Sequence, residues 1–456
     1  MIDAAPLAMF LTTFIALIAG YPVALTLAGV ALIFALIGTV FGIFNPSDLG
    51  FAAGRLFGLV TNQTLIAIPL FVFMGVTLEK TKIAESLLSD LSSLFGRSRS
   101  GLAATVILVG ALMAASTGIV GATVVTMSLM ALPVMLKAGY DARLATGTIS
   151  ATGTLGQIIP PSIALVLLGD VLSNAYQQAQ LNQGIFAPKS VSVGDLFAGA
   201  IVPGLCLVIL YLIYVYTNIL LSKSKIDSKQ ASDQKFNVFS LLASLAPPLL
   251  LIFAVLGSII LGYATPTEAA GIGAAGAILI GIATKRLEFS TIKAISESTL
   301  STTGMVFFIL IGASIFSLVF RGFGGDEQIQ GFFDAMPGGV TTALVVVMVV
   351  IFLLGFILDF IEITFVVVPI VGPVLLAMGV DPIWLGVVIA INLQTSFLTP
   401  PFGFALFYLR GVAPSSIETK DIYLGALPFV GLQILILILL FIYPSIATWL
   451  PARLYG

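Results

Sequence analysis

Two pairs of adjacent prolines, Pro160-Pro161 and Pro400-Pro401, interrupt stretches that are otherwise apolar and helix-like. The first follows Thr152-Gly153-Thr154-Leu155-Gly156-Gln157-Ile158-Ile159 and the second follows Asn392-Leu393-Gln394-Thr395-Ser396-Phe397-Leu398-Thr399. A proline has no N–H to donate, and its ring clashes with the preceding turn, so carbonyls just upstream lose their helical partners. In apolar surroundings those carbonyls are costly. They become useful when a hard cation takes them, and glycine lets the backbone approach it closely. The spacing therefore predicts two related cation sites. The same breaks leave half-helix N-termini, whose positive dipole ends suit an anion. The competing reading is a simple kink whose bonds the neighbours repair.

Asp359 and Glu362 are the second chemical feature. They stand in Phe356-Ile357-Leu358-Asp359-Phe360-Ile361-Glu362, at the midpoint of the apolar segment 338–378. A carboxylate at membrane depth is a functional candidate by default. Asp359 could orient substrate hydroxyls, tune a cation site or carry a proton; capping a half-helix is its bland role. A matching polar interruption, Ala115-Ser116-Thr117-Gly118, lies inside the segment 103–136. Ser116 and Thr117 read equally well as ligands or as small packing residues. Asp359, Ser116 and Asn392 are the candidate substrate-binding residues.

The elements that must hold these groups are membrane helices. Of the 456 residues, 59% are hydrophobic and only 9% are charged. A soluble domain carries roughly 25% charged residues, so there is too little polar surface here to cover a globule. Apolar segments lie near 7–20, 22–43, 55–78, 143–172, 194–221, 239–262, 266–284, 301–320, 383–411 and 423–450. Most reach the roughly 20 residues that a spanning helix needs. The first has no basic region ahead of it and reads as a retained segment rather than a signal peptide. The absence of histidine removes the commonest catalytic base and metal ligand, and a lone cysteine, Cys206, cannot form a disulfide within the chain. No Ser–Lys or paired-Asp hydrolase arrangement is present, so an intramembrane enzyme, like a passive structural subunit, is disfavoured.

The segment 103–136 is too short for two crossings and a turn, with arms nearer the 10–14 residues of a re-entrant element. It and 338–378 are read as helical hairpins. The chain also matches itself at an offset of 240: Pro133-Val134-x-Leu136 with Pro373-Val374-x-Leu376, Gly139 and Asp141 with Gly379 and Asp381, and the two Pro-Pro pairs. The first repeat covers 55–221, with hairpin 103–136 and broken helix 143–172. The second covers 301–450, with hairpin 338–378 and broken helix 383–411. Four crossings between the broken helices reverse the second, which gives an inverted repeat, an arrangement common in secondary transporters. Residues 1–456 form one all-α integral membrane domain of about ten spanning helices and two re-entrant hairpins.

Basic residues cluster at Lys80, Lys82, Arg97 and Arg99, at Lys223, Lys225, Lys229 and Lys235, and at Lys285 and Arg286. The positive-inside rule puts these loops in the cytoplasm, opposite the basic-poor 173–192 and the Asp326–Asp334 loop. Ile83–Phe95 places its apolar residues at helical spacing and reads as an interfacial amphipathic helix.

Gly147–Ser162, with Gly156-Gln157-Ile158-Ile159-Pro160-Pro161-Ser162, resembles the signature of the large membrane subunit of tripartite ATP-independent periplasmic (TRAP) transporters. Ile68-Pro69-Leu70-Phe71 and Gly199-Ala200-Ile201-Val202-Pro203-Gly204 extend the resemblance over nearly the whole chain. It implies an elevator mechanism in the bacterial inner membrane, sodium-coupled uptake of a small organic acid, and no cofactor other than the coupling sodium ions. It also implies two partners, a small four-helix membrane subunit and a periplasmic substrate-binding protein. Carried over, backbone oxygens at Thr117, Gly156, Ile159 and Pro161 would line one sodium site, and Ser396, Thr399 and Pro401 the second. Asp359 falls at a tip position near the substrate. The first tip departs from the Gly-Met-Ser-Gly-Ser pattern of the family, and 173–193 is longer than usual. The nearest rival is a stand-alone ion-coupled organic anion symporter that needs no binding protein.

Overall fold

In the computed structural model, which describes residues 4–95, 100–221 and 238–455, every regular element is helical. Arg97, Arg99, Lys223, Lys225, Lys229 and Lys235 of the basic clusters lie outside the described residues. Eight helices are long and apolar enough to cross a membrane by length and composition. In chain order the N-terminal part comprises α1 (Ala5–Ile18), α2 (Val23–Val40), α3 (Phe51–Thr61), α4 (Ala67–Lys80) and α5 (Ile83–Phe95). The expected single segment 55–78 is thus two helices. Asn62 parts them: its Oδ1 accepts from the N–H groups of Thr64 and Leu65, and its Nδ2 donates to Asp170 at 2.9 Å.

The first hairpin is α6 (Gly101–Thr117) and α7 (Val120–Lys137), followed by the broken pair α8 (Ala142–Thr154) and α9 (Ile163–Asn182). Its arms are 17 and 18 residues, longer than the 10–14 expected. Residues 173–182 extend α9 rather than forming a loop, because the chain keeps helical bonding until Gln180 clasps the main chain of Lys189 in both directions. Four long helices come next: α10 (Val193–Leu221), α11 (Val238–Ile260), α12 (Pro266–Ala283) and α13 (Phe289–Gly322). The last begins well before the apolar run 301–320, since Ser290–Leu300 has no breaker and continues the helix.

After a short helix α14 (Gly325–Asp334) comes the second hairpin. Its first arm is α15 (Gly339–Leu354). Its second is α16 (Phe360–Glu362), a wide turn at Ile363–Val367, and α17 (Val368–Ala377). The second broken pair is α18 (Pro382–Leu398) and α19 (Phe404–Val412), and the chain ends in α20 (Thr419–Ile442) and α21 (Ser445–Tyr455).

Positions matched at the 240 offset share local structure. Pro133 and Pro373 both lie within helices. Gly139 and Gly379 take left-handed φ of 84° and 90°, a region glycine enters without a Cβ penalty. Asp141 and Asp381 each cap the following helix, accepting from Arg143 N and Trp384 N at 2.8 Å. Both Pro-Pro bonds are cis.

Two layers of packing hold the halves together. α8 and α20 approach so closely at Gly147 and Gly425 that a Cβ on Gly147 would collide with the Gly425 carbonyl. Arg143 pairs with Asp421 at 2.9 Å at the end of the same contact. Away from this core, α1 and α2 turn Leu7, Ile15, Leu36 and Val40 outward, exposed apolar surface that suits lipid rather than water. The loops at 80–82 and 285–286 meet, with Arg286 donating to the carbonyls of Thr81 and Lys82 and to Ser86. Two of the basic clusters therefore share one end of the bundle.

Candidate functional site

Each hairpin tip lies against a break. Gly118 ends α6 with a φ of 62°, and a Cβ there would stand 3.1 Å from the backbone nitrogen of Ile163, the first residue of α9. Gly156 in turn presses on the carbonyl of Ala114. In the second half Ser396 Oγ donates to the Phe352 carbonyl at 2.7 Å, and Asn392 Nδ2 donates to that of Met348 at 2.8 Å. The first break has 13 helical residues before it and 20 after it, and the second has 17 and 9.

Both tips and both breaks converge on one cavity of about 140 Å³. Its walls are built from repeat-related pairs. Ile119 and Asp359, Gly121 and Ile361, Gln157 and Phe397, and Ala164 and Phe404 stand 240 residues apart and all line it. α13 closes one side through Thr302, Met305 and Val306, and Tyr408 lies across Gly121.

Asp359 is in this wall and opens the helix at Phe360. Its Oδ1 accepts from Phe360 N at 2.7 Å, and Glu362 Oε2 accepts from Asp359 N at 3.0 Å. Glu362 faces away, towards Leu358 and the α1–α2 side. Asp359 is therefore both a cap and the carboxylate that borders the cavity. As the cap it also accepts from the backbone of Glu362, so the carboxyl is shared between the helix N-terminus and the cavity wall.

None of the cation candidates lines the 140 Å³ cavity, and their oxygens differ in freedom. Among the described residues no donor reaches the carbonyl of Ile159 or Pro161, while Gly156 O accepts from Ser162 Oγ at 2.8 Å. Thr117 is the last residue of α6 and places its backbone at the tip. At the second break Ser396 O accepts from Thr399 N at 3.0 Å, Thr399 O from Gly403 N at 3.0 Å, and Pro401 O from the Tyr423 hydroxyl at 2.9 Å. The hydroxyls of Ser396 and Thr399 are bonded to main-chain carbonyls. Each hydroxyl is a donor in these bonds, so its oxygen lone pairs stay open beside the backbone oxygens.

Two candidate substrate ligands are not brought to the cavity. Ser116 turns its hydroxyl back to Met113 O at 2.9 Å and borders a separate small pocket with Glu79 and Pro248. Asn392 is buried and spends its amide tying α18 to α15. Sequence reasoning passed over Gln157, whose buried Oε1 has no partner and which lines the cavity. Its signal was a fully apolar-flanked amide directly before the break. Thr302 and Tyr408 were also passed over, and nothing local marks them.

Comparisons agree with this architecture. The YdaH transporter of Alcanivorax borkumensis superposes with a TM-score of 0.61 at 15% identity, covering 88% of each chain. Neisseria gonorrhoeae MtrF, described as one of a class of antimetabolite efflux pumps, gives 0.59 at 14% identity, covering 87% of this chain and 83% of that one. At such identities the likeness concerns the fold. Among relatives in sequence, the C4-dicarboxylate TRAP transporter large permease protein DctM of Vibrio cholerae is 29% identical over 96% of both chains. The sialic acid large permease SiaM of the same species is 27% identical over 96% of this chain and 97% of its own. The ectoine large permease TeaC of Halomonas elongata is 27% identical over 85% and 86%. The model of the tripartite ATP-independent periplasmic transporter, DctM component, matches residues 10–446, and the chain belongs to that family as a multi-pass inner-membrane large permease subunit of a transporter of organic acids.

Proposed function

We propose that this chain carries a small organic acid across the inner membrane by a sodium-coupled elevator movement. It works with a small four-helix membrane subunit and a periplasmic substrate-binding protein. The observation that carries the reading is the cavity bounded by repeat-related pairs from both hairpin tips and both Pro-Pro breaks. The free carbonyls of Ile159 and Pro161 offer hard oxygen ligands to one sodium ion, and the second break offers Ser396, Thr399 and Pro401 to another. Substrate would sit between them, with Asp359 accepting from its hydroxyls, half-helix N-termini facing its carboxylate, and Ser116 and Asn392 left to support the tips. The repeat domains 55–221 and 301–450 give the inverted halves that such movement uses.

The test is uptake into proteoliposomes holding this chain and the small subunit, with the binding protein outside. C4-dicarboxylates, sialic acid and ectoine, named for the relatives, are the first substrates to offer. Accumulation should need both an inward sodium gradient and the binding protein. Accumulation without the binding protein would overturn the tripartite reading in favour of a stand-alone symporter; accumulation indifferent to sodium would overturn the coupling.

A further inference from the structure

A second, larger cavity of about 250 Å³ lies along the same seam between α9 and α13. The tip cavity uses Ala164 and Leu167 of α9 and Val306 of α13; this one uses Asp170 and Asn174 of α9 and Ser314 and Ser317 of α13. At 1.5 Å per helical residue their centres are roughly 10–14 Å apart along the helices. α3 supplies Arg55 to the second cavity, and the end of α13 supplies Arg321.

The charges there are unbalanced in position. Arg321 is engaged: it donates to Gln178 Oε1 at 3.1 Å and pairs with Asp326 at 3.3 Å. Burial holds the Asp326 carboxyl above its usual range even against Arg321. Asp170 is held by Asn62. Arg55, by contrast, has no carboxylate within 4 Å among the described residues; it is half buried, and it feels the positive charge of Arg321 more than the opposing charge of Asp326 beyond ion-pair distance. A half-buried guanidinium with a like charge for a neighbour and serine hydroxyls opposite is a receptor for an oxyanion.

We infer that Arg55, with Arg321, Ser314 and Ser317, forms an anion-capture site for a carboxylate, distinct from the tip cavity and preceding it on the substrate's path. This rests on the organic-anion reading above. Asp170 makes the site selective: an acid carrying a hydroxyl or ammonium donor can satisfy it, whereas a bare polyanion meets repulsion. The capture site holds a carboxylate next to α9 and raises its local concentration beside the tip cavity.

The charge of the cavity can be read without knowing the substrate. In the full chain in nanodiscs, with Cys206→Ala, the reporter Ser317→Cys is reacted with the sulfonate and the trimethylammonium forms of an ethyl methanethiosulfonate. The sulfonate reagent should react faster, and Arg55→Gln should reduce that advantage about tenfold while Arg55→Lys preserves it. Equal rates, a preference for the cationic reagent, or a ratio unmoved by Arg55→Gln would each overturn the proposal; Ser314→Cys gives the same reading if the first reporter folds poorly. In uptake with both partners, Arg55→Gln should raise KM several-fold at nearly unchanged Vmax. A fall in Vmax at constant KM would mark Arg55 as merely structural. A wild-type system that moves no acid counts against the transport reading alone, because the thiol ratio does not depend on it.

Discussion

Asp359 does two jobs that a pair of substitutions can separate. Its Oδ1 caps the helix at Phe360, and its charge borders the cavity. Asp359→Asn keeps an acceptor in the same place, so the cap survives and stability should change by well under ~1 kcal/mol. Asp359→Ala removes the acceptor and orphans the buried Phe360 N–H, costing about 1–2 kcal/mol. Both substitutions remove the charge. A charge-assisted hydrogen bond to a substrate hydroxyl is worth roughly 1.5–3 kcal/mol, so each variant should lose about 10- to 150-fold in uptake kcat/KM. The assay is sodium-driven uptake beside thermal unfolding in the same detergent. Wild-type uptake by Asp359→Asn together with loss in Asp359→Ala would refute the reasoning, because it would show that the cap alone matters.

Further outcomes follow from the breaks and their packing. Tyr423→Phe removes the phenol that competes for the Pro401 carbonyl; the sodium concentration for half-maximal uptake should fall by up to about fivefold, the worth of one ordinary hydrogen bond. Ser396→Ala loses only the bond to Phe352 O, so it should lower the unfolding temperature while leaving sodium affinity nearly unchanged, as expected if Ser396 meets sodium through its backbone. Gly118→Ala meets both a left-handed φ and the Ile163 nitrogen, and should cost about 1–2 kcal/mol and slow uptake; alanine at Gly29, which faces open space within α2, should be tolerated in both measurements. Gly147→Ala should be worse than either, abolishing stable expression, because the obstacle is the backbone carbonyl of Gly425 and cannot swing aside.

The parts of this molecule legible in its sequence are those where a backbone property is written into a residue type. Proline pairs mark the breaks, glycine marks the left-handed turns at Gly139 and Gly379, and aspartate marks the caps at Asp141 and Asp381. Because these recur at one offset, the repeat and its two cavity-forming tips could be placed before any coordinates. What stayed hidden is what each group faces. Ser116 and Gly118 are two residues apart, yet only the second lines the cavity: Ser116 is still within α6, whereas Gly118 leaves it with a left-handed φ and packs against Ile163, far along the chain. Asn392 failed for the same reason: polarity in an apolar run says that an amide has a partner, not whether the partner is a ligand or the Met348 carbonyl. Arg55 shows the converse. At the sequence level it is one cation near a membrane segment, and it gains a meaning only when α3 sets it opposite Arg321 without a carboxylate of its own. In a membrane protein the apolar pattern reports depth and breaks, while charge placement between distant helices decides what passes through, which makes Arg55 the more demanding test of the function.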